Sequence, residues 1–107
     1  MTQATSDRMR QLQAMLQKEP NDTFLLYGLA LEYKKANDAP HAIEYLDRVL
    51  KLDAGYCYAY HQKGLVYESL DDVEAAKKTY REGMEAARKK GDEHARSEIE
   101  AALETLE

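Results

Sequence analysis

The residues most able to do chemistry are concentrated in the segment 56–67, which holds four of the eight tyrosines, the only cysteine and one of three histidines. Cys57 and His61 stand four positions apart, one turn of a helix, and could donate two ligands to a soft metal. No second Cys/His pair exists to complete four-coordination, and His94 is distant in the sequence. We therefore expect neither a metal site nor a cofactor.

Acid–base chemistry has equally little support in the sequence. His41 and Glu44 lie one helical turn apart, a spacing that is common for solvated polar pairs on helix surfaces. Glycine-rich phosphate loops, Gly-x-Ser-x-Gly and His-Glu-x-x-His are all missing from the sequence. The carboxylates are spread evenly along the chain, so none is singled out as an acid or base. We expect that the protein is not an enzyme.

Length and composition indicate one folded domain. The chain has 107 residues, of which 44% are hydrophobic and 33% charged. A net charge of −5 argues against nucleic-acid binding, which relies on cationic groups to neutralise phosphates. The first seven residues do not resemble a signal peptide, and no apolar run approaches the roughly 20 residues needed to span a bilayer. A single cysteine fits a reducing compartment, so we predict a cytoplasmic protein without membrane contact.

Residues of similar character recur 34 positions apart, which indicates an internal repeat. Seven such pairs occur without a gap: Leu26 and Tyr60, Ala30 and Gly64, Tyr33 and Tyr67, Ala42 and Ala76, Leu46 and Tyr80, Val49 and Gly83, and Leu50 and Met84. Seven spaced matches are hard to produce by chance. The chain therefore contains two copies of one structural unit.

Each unit is predicted to be a pair of helices joined by a turn. In the first unit Leu26, Ala30 and Tyr33 have the i, i+4, i+7 spacing of a helix that is buried on one side, and the second half of the unit repeats that spacing. Asp38 is predicted to cap the second helix, and Pro40 then occupies its first turn, where a missing N–H does no harm. Small residues stand where the two helices must approach closely.

The 34-residue period, the small residue three before a tyrosine, and the Ala-x-x-x-Leu/Tyr-x-x-Val/Gly pattern of the second helix resemble the tetratricopeptide repeat (TPR). Ala42-Ile43 matches the usual Ala-Ile of that family. The run 50–53 matches its usual Leu-x-Leu-Asp ending, with Ala54 in place of the usual proline. The resemblance implies an all-α fold, a right-handed α-α superhelix (solenoid) of about six antiparallel helices.

The resemblance also divides the domain into four parts. They are a half-repeat helix at 7–19, full repeats at 23–56 and 57–90, and a C-terminal capping helix at 91–107. Arg8 stands where an alanine is usual, so we expect the first helix to begin loosely. Asp72 is predicted to cap the second helix of the second repeat, while Gly91 should end that helix and Asp92 should cap the last one.

The first helix of each repeat has a second apolar cluster, about a third of a turn from its core side. Its members, 34 residues apart in pairs, are Phe24, Tyr27 and Leu31 in the first repeat and Tyr58, His61 and Leu65 in the second. The resemblance places this cluster, with Gln62, on the concave face that binds partner segments. Exposed aromatic and apolar groups favour interaction. We therefore predict a scaffold or adaptor that binds an apolar or amphipathic segment of another protein, oriented by Lys34, Gln62 and Glu68.

Two other uses of this cluster are open. A terminal helix could fold over it and make it ordinary core, or a second copy of the chain could cover it in a homo-oligomer. The family's capture of acidic tails by a clamp of lysines and asparagines is disfavoured. Of the aligned positions Tyr27, Leu31, His61, Gln62 and Leu65, only Gln62 resembles a clamp residue.

Overall fold

A computed structural model describes residues 6–107. They form six α-helices: α1 (Asp7–Lys18), α2 (Thr23–Lys35), α3 (Ala39–Leu52), α4 (Cys57–Ser69), α5 (Val73–Lys90) and α6 (Glu93–Glu104). Helices α2 and α3 form one hairpin and α4 and α5 form the next, with α3 packed on α4 between them. Helix α1 packs on α2, and α6 packs mainly on α5. The all-α superhelix expected from the sequence is confirmed.

The signal-peptide prediction concerns residues 1–5 in part, and these lie outside the described residues. Within residues 6–107, no helix has both the length and the apolar character needed to cross a bilayer.

Aspartate side chains define most of the helix starts. The carboxylate of Asp38 accepts from the backbone N–H of His41 at 3.3 Å, and Asp72 and Asp92 cap α5 and α6 in the same way. Gly91 ends α5 with a φ of 75°, in the left-handed region that glycine adopts without strain. The predicted caps and the predicted helix stop are confirmed. The sequence could predict them because each depends only on residues a few positions away.

Helix α1 begins more firmly than expected. The side chain of Ser6 accepts from the N–H of Met9 at 2.9 Å, and its hydroxyl donates to the buried carboxylate of Glu32 at 3.0 Å. Arg8 lies 3.7 Å from the same carboxylate. The loose start predicted from Arg8 is therefore wrong, since this side chain pairs with Glu32 on α2 instead of weakening the helix end.

The core contains two clusters, and both include residues of α4. One contains buried side chains of α1, α2 and α3 together with Ala59 of α4, and the other contains buried side chains of α4, α5 and α6. In the second cluster the ring of Tyr80 is fully buried and lies directly against the backbone of Gly64. Its hydroxyl donates to Glu68, so the Tyr80 side chain is fixed both by packing of the ring and by this hydrogen bond.

The cap of α6 is expected to matter for stability because α6 forms one end of the stack. Replacing Asp92 with alanine removes the acceptor for the N–H of Ala95, and this should lower the free energy of unfolding by about 1 kcal/mol. Urea denaturation followed by circular dichroism measures the change. The variant Glu104→Ala, at the exposed C-terminal end of the same helix, is the control. Equal losses in both variants would show that the cap contributes nothing specific.

Candidate functional site

The seven residues predicted to line the concave groove lie on α2 and α4, and we call them the groove residues: Phe24, Tyr27, Leu31, Tyr58, His61, Gln62 and Leu65. Phe24 is 66% exposed, and the other six are partly buried. Helices α2 and α4 contact each other directly, so the structure brings the two sets together.

A polar network connects the two helices inside the groove. The amine of Lys34 donates to the side-chain oxygen of Gln62 at 2.6 Å. Burial lowers the pKa of Lys34. Burial also raises the pKa of Tyr27, and the nearby ring of Tyr56, 5.0 Å between centroids, adds to that rise. The bond between Lys34 and Gln62 therefore links α2 to α4.

His61 lies between charged groups from three helices. It interacts electrostatically with Glu98 of α6, Lys34 of α2 and Glu68 of its own helix, while its ring meets Tyr80 edge-on at 6.1 Å between centroids. Burial is the largest influence and lowers the pKa of His61 below its usual 6.5. The imidazole is therefore neutral at pH 7, where it offers a half-buried aromatic surface rather than a cation.

Part of the Tyr58 side chain packs within the fold itself. It packs against the core cluster that contains Ala95 and Ile99 of α6, and it interacts electrostatically with Glu98 of that helix. Burial, followed by the charge of Glu98, raises the pKa of Tyr58. A terminal helix therefore does cover part of the predicted cluster, at the end nearest α6. The rest of the Tyr58 side chain remains accessible.

Leu31 and Leu65 are the groove residues least explained by packing. They occupy equivalent positions in consecutive repeats, both are partly exposed, and neither belongs to the two core clusters of the described residues. Phe24 extends the apolar surface towards α1, where it lines a depression with Met15, which is 53% exposed.

Two residues near this surface were not predicted from the sequence. Met15 aligns with Val49 of the first repeat, which is buried, whereas Met15 itself is exposed. Glu98 belongs to α6, which has no counterpart in the two repeats, so no 34-residue partner pointed to it. Glu98 stands four residues after His94, and this spacing alone does not reveal which residues of other helices its side chain faces.

The residues first considered for catalysis or metal binding make other contacts in the structure. Cys57 is buried, its thiol donates to the carbonyl of Gly55 at 3.3 Å, and burial raises the pKa of that thiol, which disfavours the reactive thiolate. His41 lies 2.8 Å from Asp38, rather than beside Glu44, and its ring stacks on Tyr33. Among residues 6–107, no three His, Cys, Asp or Glu side chains come together as metal ligands would.

Helical hairpins stacked at a 34-residue period define this chain as a helical-repeat protein. Comparison with family models then gives the family: the model described as "Tetratricopeptide repeat" matches residues 25–56 and 58–90. The chain belongs to the tetratricopeptide repeat family, as its sequence pattern predicted.

Individual proteins show the same relationship. The TPR repeat-containing protein PA0015 of Pseudomonas aeruginosa is 29% identical over 96 residues, which cover 90% of this chain and 91% of that protein. A tetratricopeptide repeat domain protein from Salinibacter ruber, solved by NMR, is 34% identical with a TM-score of 0.77, covering 82% of this chain and 89% of the other.

A more distant structure has the same fold. PcrH, crystallised in complex with the chaperone binding region of PopD, superposes with a TM-score of 0.84 over 92% of this chain and 74% of PcrH. The two sequences are 15% identical, so this likeness concerns the fold alone.

Proposed function

We propose that this chain is a protein–protein interaction module that binds an apolar or amphipathic segment of another protein along the groove residues. The observation that supports this most directly is the exposure of Leu31 and Leu65. A helix in a two-layer stack needs one buried side, yet both first helices place a leucine on a second side, at the same repeat position and outside the core clusters.

The groove has the composition of an interaction surface. Apolar and aromatic side chains provide contact area, while Gln62 and the Lys34 amine offer hydrogen bonds within the same depression. Aromatic residues lose little conformational entropy when they bind, which makes Tyr27 and Phe24 suitable anchors. Hydrophobic contact would provide most of the affinity, and the polar groups would set the orientation of the bound segment.

The comparisons support this proposal at the level of the fold. The tetratricopeptide fold is typically a non-enzymatic interaction module. PcrH, whose fold matches this one, is seen with a region of PopD bound. We extend that behaviour to this chain as a scaffold or adaptor in the cytoplasm.

The proposal predicts that the double variant Leu31→Ala, Leu65→Ala loses its partner proteins. Truncating two leucines at the centre of an interface should weaken binding at least about tenfold, because contact area is lost without replacement. The measurement is quantitative mass spectrometry of proteins retained on the immobilised chain, followed by titration of each purified partner. These leucines are preferred to Tyr27 and Tyr58 because the tyrosines also pack against the core.

Leu52→Ala is the matched control, since Leu52 is 47% exposed at the end of α3 and is not a groove residue. It should leave partner binding unchanged. If the groove variant is folded and retains each partner with wild-type affinity, the groove is not the binding site.

A further inference from the structure

Three ionised side chains surround the groove, and their signs differ between its two ends. Lys34 lies on the α2 side, whereas Glu68 lies on α4 and Glu98 on α6. Lys34 is bonded to Gln62, the residue after His61, and Glu68 is bonded to Tyr80, whose ring meets His61 edge-on. The charge of Glu98 also acts on His61. From α2 towards α6, the charge along the groove changes from positive to negative.

Two of these groups, Lys34 and Glu68, are hydrogen-bonded to neutral side chains, whereas the carboxylate of Glu98 lies 3.5 Å from the imidazole of His94. The Lys34 amine donates to the Gln62 amide, and the carboxylate of Glu68 accepts from the hydroxyl of Tyr80. Such hydrogen bonds orient a charged group without cancelling its charge.

Several other charged residues of the same helices pair with an opposite charge. Lys35, next to Lys34, pairs with Glu32 at 3.7 Å, and Lys63 of α4 pairs with Asp47 at 2.7 Å. On α6, Arg96 pairs with Glu93 at 3.1 Å. Away from the groove, these charges are balanced within the molecule. Beside the groove, the Lys34 amine and the Glu68 carboxylate form no ion pair among the described residues, and Glu98 is paired only with His94, so these groups can balance charges of a ligand.

We propose that the groove is electrostatically directional, and that its ligand is a short amphipathic peptide segment with an acidic side chain at the α2 end and a basic side chain at the α6 end. This inference rests on the proposed function, because it concerns the same groove. Apolar residues between the two charged ones would contact Leu31 and Leu65. The acid would meet Lys34, and the base would meet Glu98 and Glu68.

The charges would select the ligand more than they tighten its binding. Complementary charges at an interface fix register and exclude wrong partners, while apolar contact provides most of the affinity. A segment with the opposite charge order would place like charges together at both ends. We expect such a segment to bind about tenfold more weakly than its correctly ordered counterpart, since like-charge contacts across an interface are strongly unfavourable.

The test uses a phage-displayed library of random 12-residue peptides, selected on the whole purified chain. Counter-selection on the Leu31→Ala, Leu65→Ala variant keeps only peptides that depend on the groove. The best binders are synthesised together with versions in which their acidic and basic residues are exchanged. Affinities are then measured by fluorescence anisotropy at low and high salt. We expect the selected peptides to have an acid and a base on opposite sides of an apolar centre, and the exchanged versions to lose about tenfold in affinity.

Charge reversal in the protein tests which end of the groove binds the acidic residue of the peptide and which binds the basic one. The variant Lys34→Glu, Glu98→Lys should prefer the exchanged peptides, and the control Glu104→Lys, on the exposed end of α6, should keep the original preference. Groove-dependent peptides with no charge order, or with a preference that the double reversal does not alter, would overturn the directional groove and leave the proposed function intact. Recovery of no groove-dependent peptide at all would contradict both.

Discussion

Replacing Gly64 with alanine should destabilise the protein by about 3 kcal/mol, the upper end of the usual cost of overpacking a core. A Cβ atom at this position would lie 2.1 Å from Cε1 of Tyr80 and 2.6 Å from its Cδ1. The ring cannot move aside easily, because it is fully buried and its hydroxyl is bonded to Glu68. Alanine gains about 1 kcal/mol of helix propensity, which does not offset this clash. Urea denaturation at constant pH measures the loss.

Gly28→Ala is the matched control for this substitution. Gly28 is also a helical glycine, but a Cβ there would meet the flexible end of Leu12 at 3.3 Å. A side-chain methyl can shift by a few tenths of an ångström, so we expect a change smaller than about 1 kcal/mol in either direction. A Gly64→Ala protein as stable as the Gly28→Ala protein would show that the Tyr80 contact is not restrictive.

The first repeat suggests how to relieve the clash. The residues equivalent to Gly64 and Tyr80 are Ala30 and Leu46, both buried. The double variant Gly64→Ala, Tyr80→Leu copies that pair into the second repeat, and it should recover part of the stability that the single variant loses. If the double variant is less stable than Gly64→Ala alone, the explanation by overpacking fails.

The second large effect is expected at Ile99, the buried centre of α6. Its side chain is fully buried, and its Cδ1 lies 3.1 Å from where a Cβ on Gly83 would be. Ile99→Ala should lower the free energy of unfolding by about 2–5 kcal/mol, the range measured when a large aliphatic side chain is truncated in a core. Because a terminal element of a repeat protein contacts only its neighbour, much of this loss should be local to α6.

Hydrogen exchange measured by mass spectrometry separates local from global destabilisation. The amides of α6 should exchange at least about tenfold faster in Ile99→Ala than in wild type, while those of α2 should change much less. Ser97→Ala, on the exposed side of the same helix, is the control and should leave both regions unchanged. Equal acceleration in α2 and α6 would mean that the stack opens as one unit and that α6 is not an independent end.

Much of the architecture was predictable because it depends on neighbours in the sequence. A helix cap such as Asp38 or Asp92 bonds to a backbone N–H three residues away, and the apolar spacing of Leu26, Ala30 and Tyr33 defines a helix face within two turns. The 34-residue period then specifies two similar hairpins, because residues of similar character at equivalent positions favour the same packing. For these reasons the family, the fold class and the second apolar side of α2 and α4 all follow from the amino-acid sequence.

The surroundings of the groove followed from the sequence only in part. Leu31 and Leu65 were identified by their spacing, and their role in binding remains a prediction. Tyr58 was identified in the same way, but its contact with Glu98 was not, because that contact depends on how α6 is rotated about its own axis. The same limitation applies to Ser6 and Glu32, which are 26 residues apart and meet only when α1 docks on α2.

The sequence by itself therefore determined that this is a tetratricopeptide repeat protein of stacked helical hairpins, with an additional apolar side on the first helix of each repeat. Only the tertiary structure decided that Tyr80 fills the space above Gly64, that Tyr58 packs with residues of α6, and that Lys34 of α2 bonds to Gln62 of α4. The physical reason is the distance along the sequence between the residues that interact. Caps and periodicity involve residues within two helical turns, whereas these contacts join different helices whose crossing and rotation are set by the packing of the whole stack.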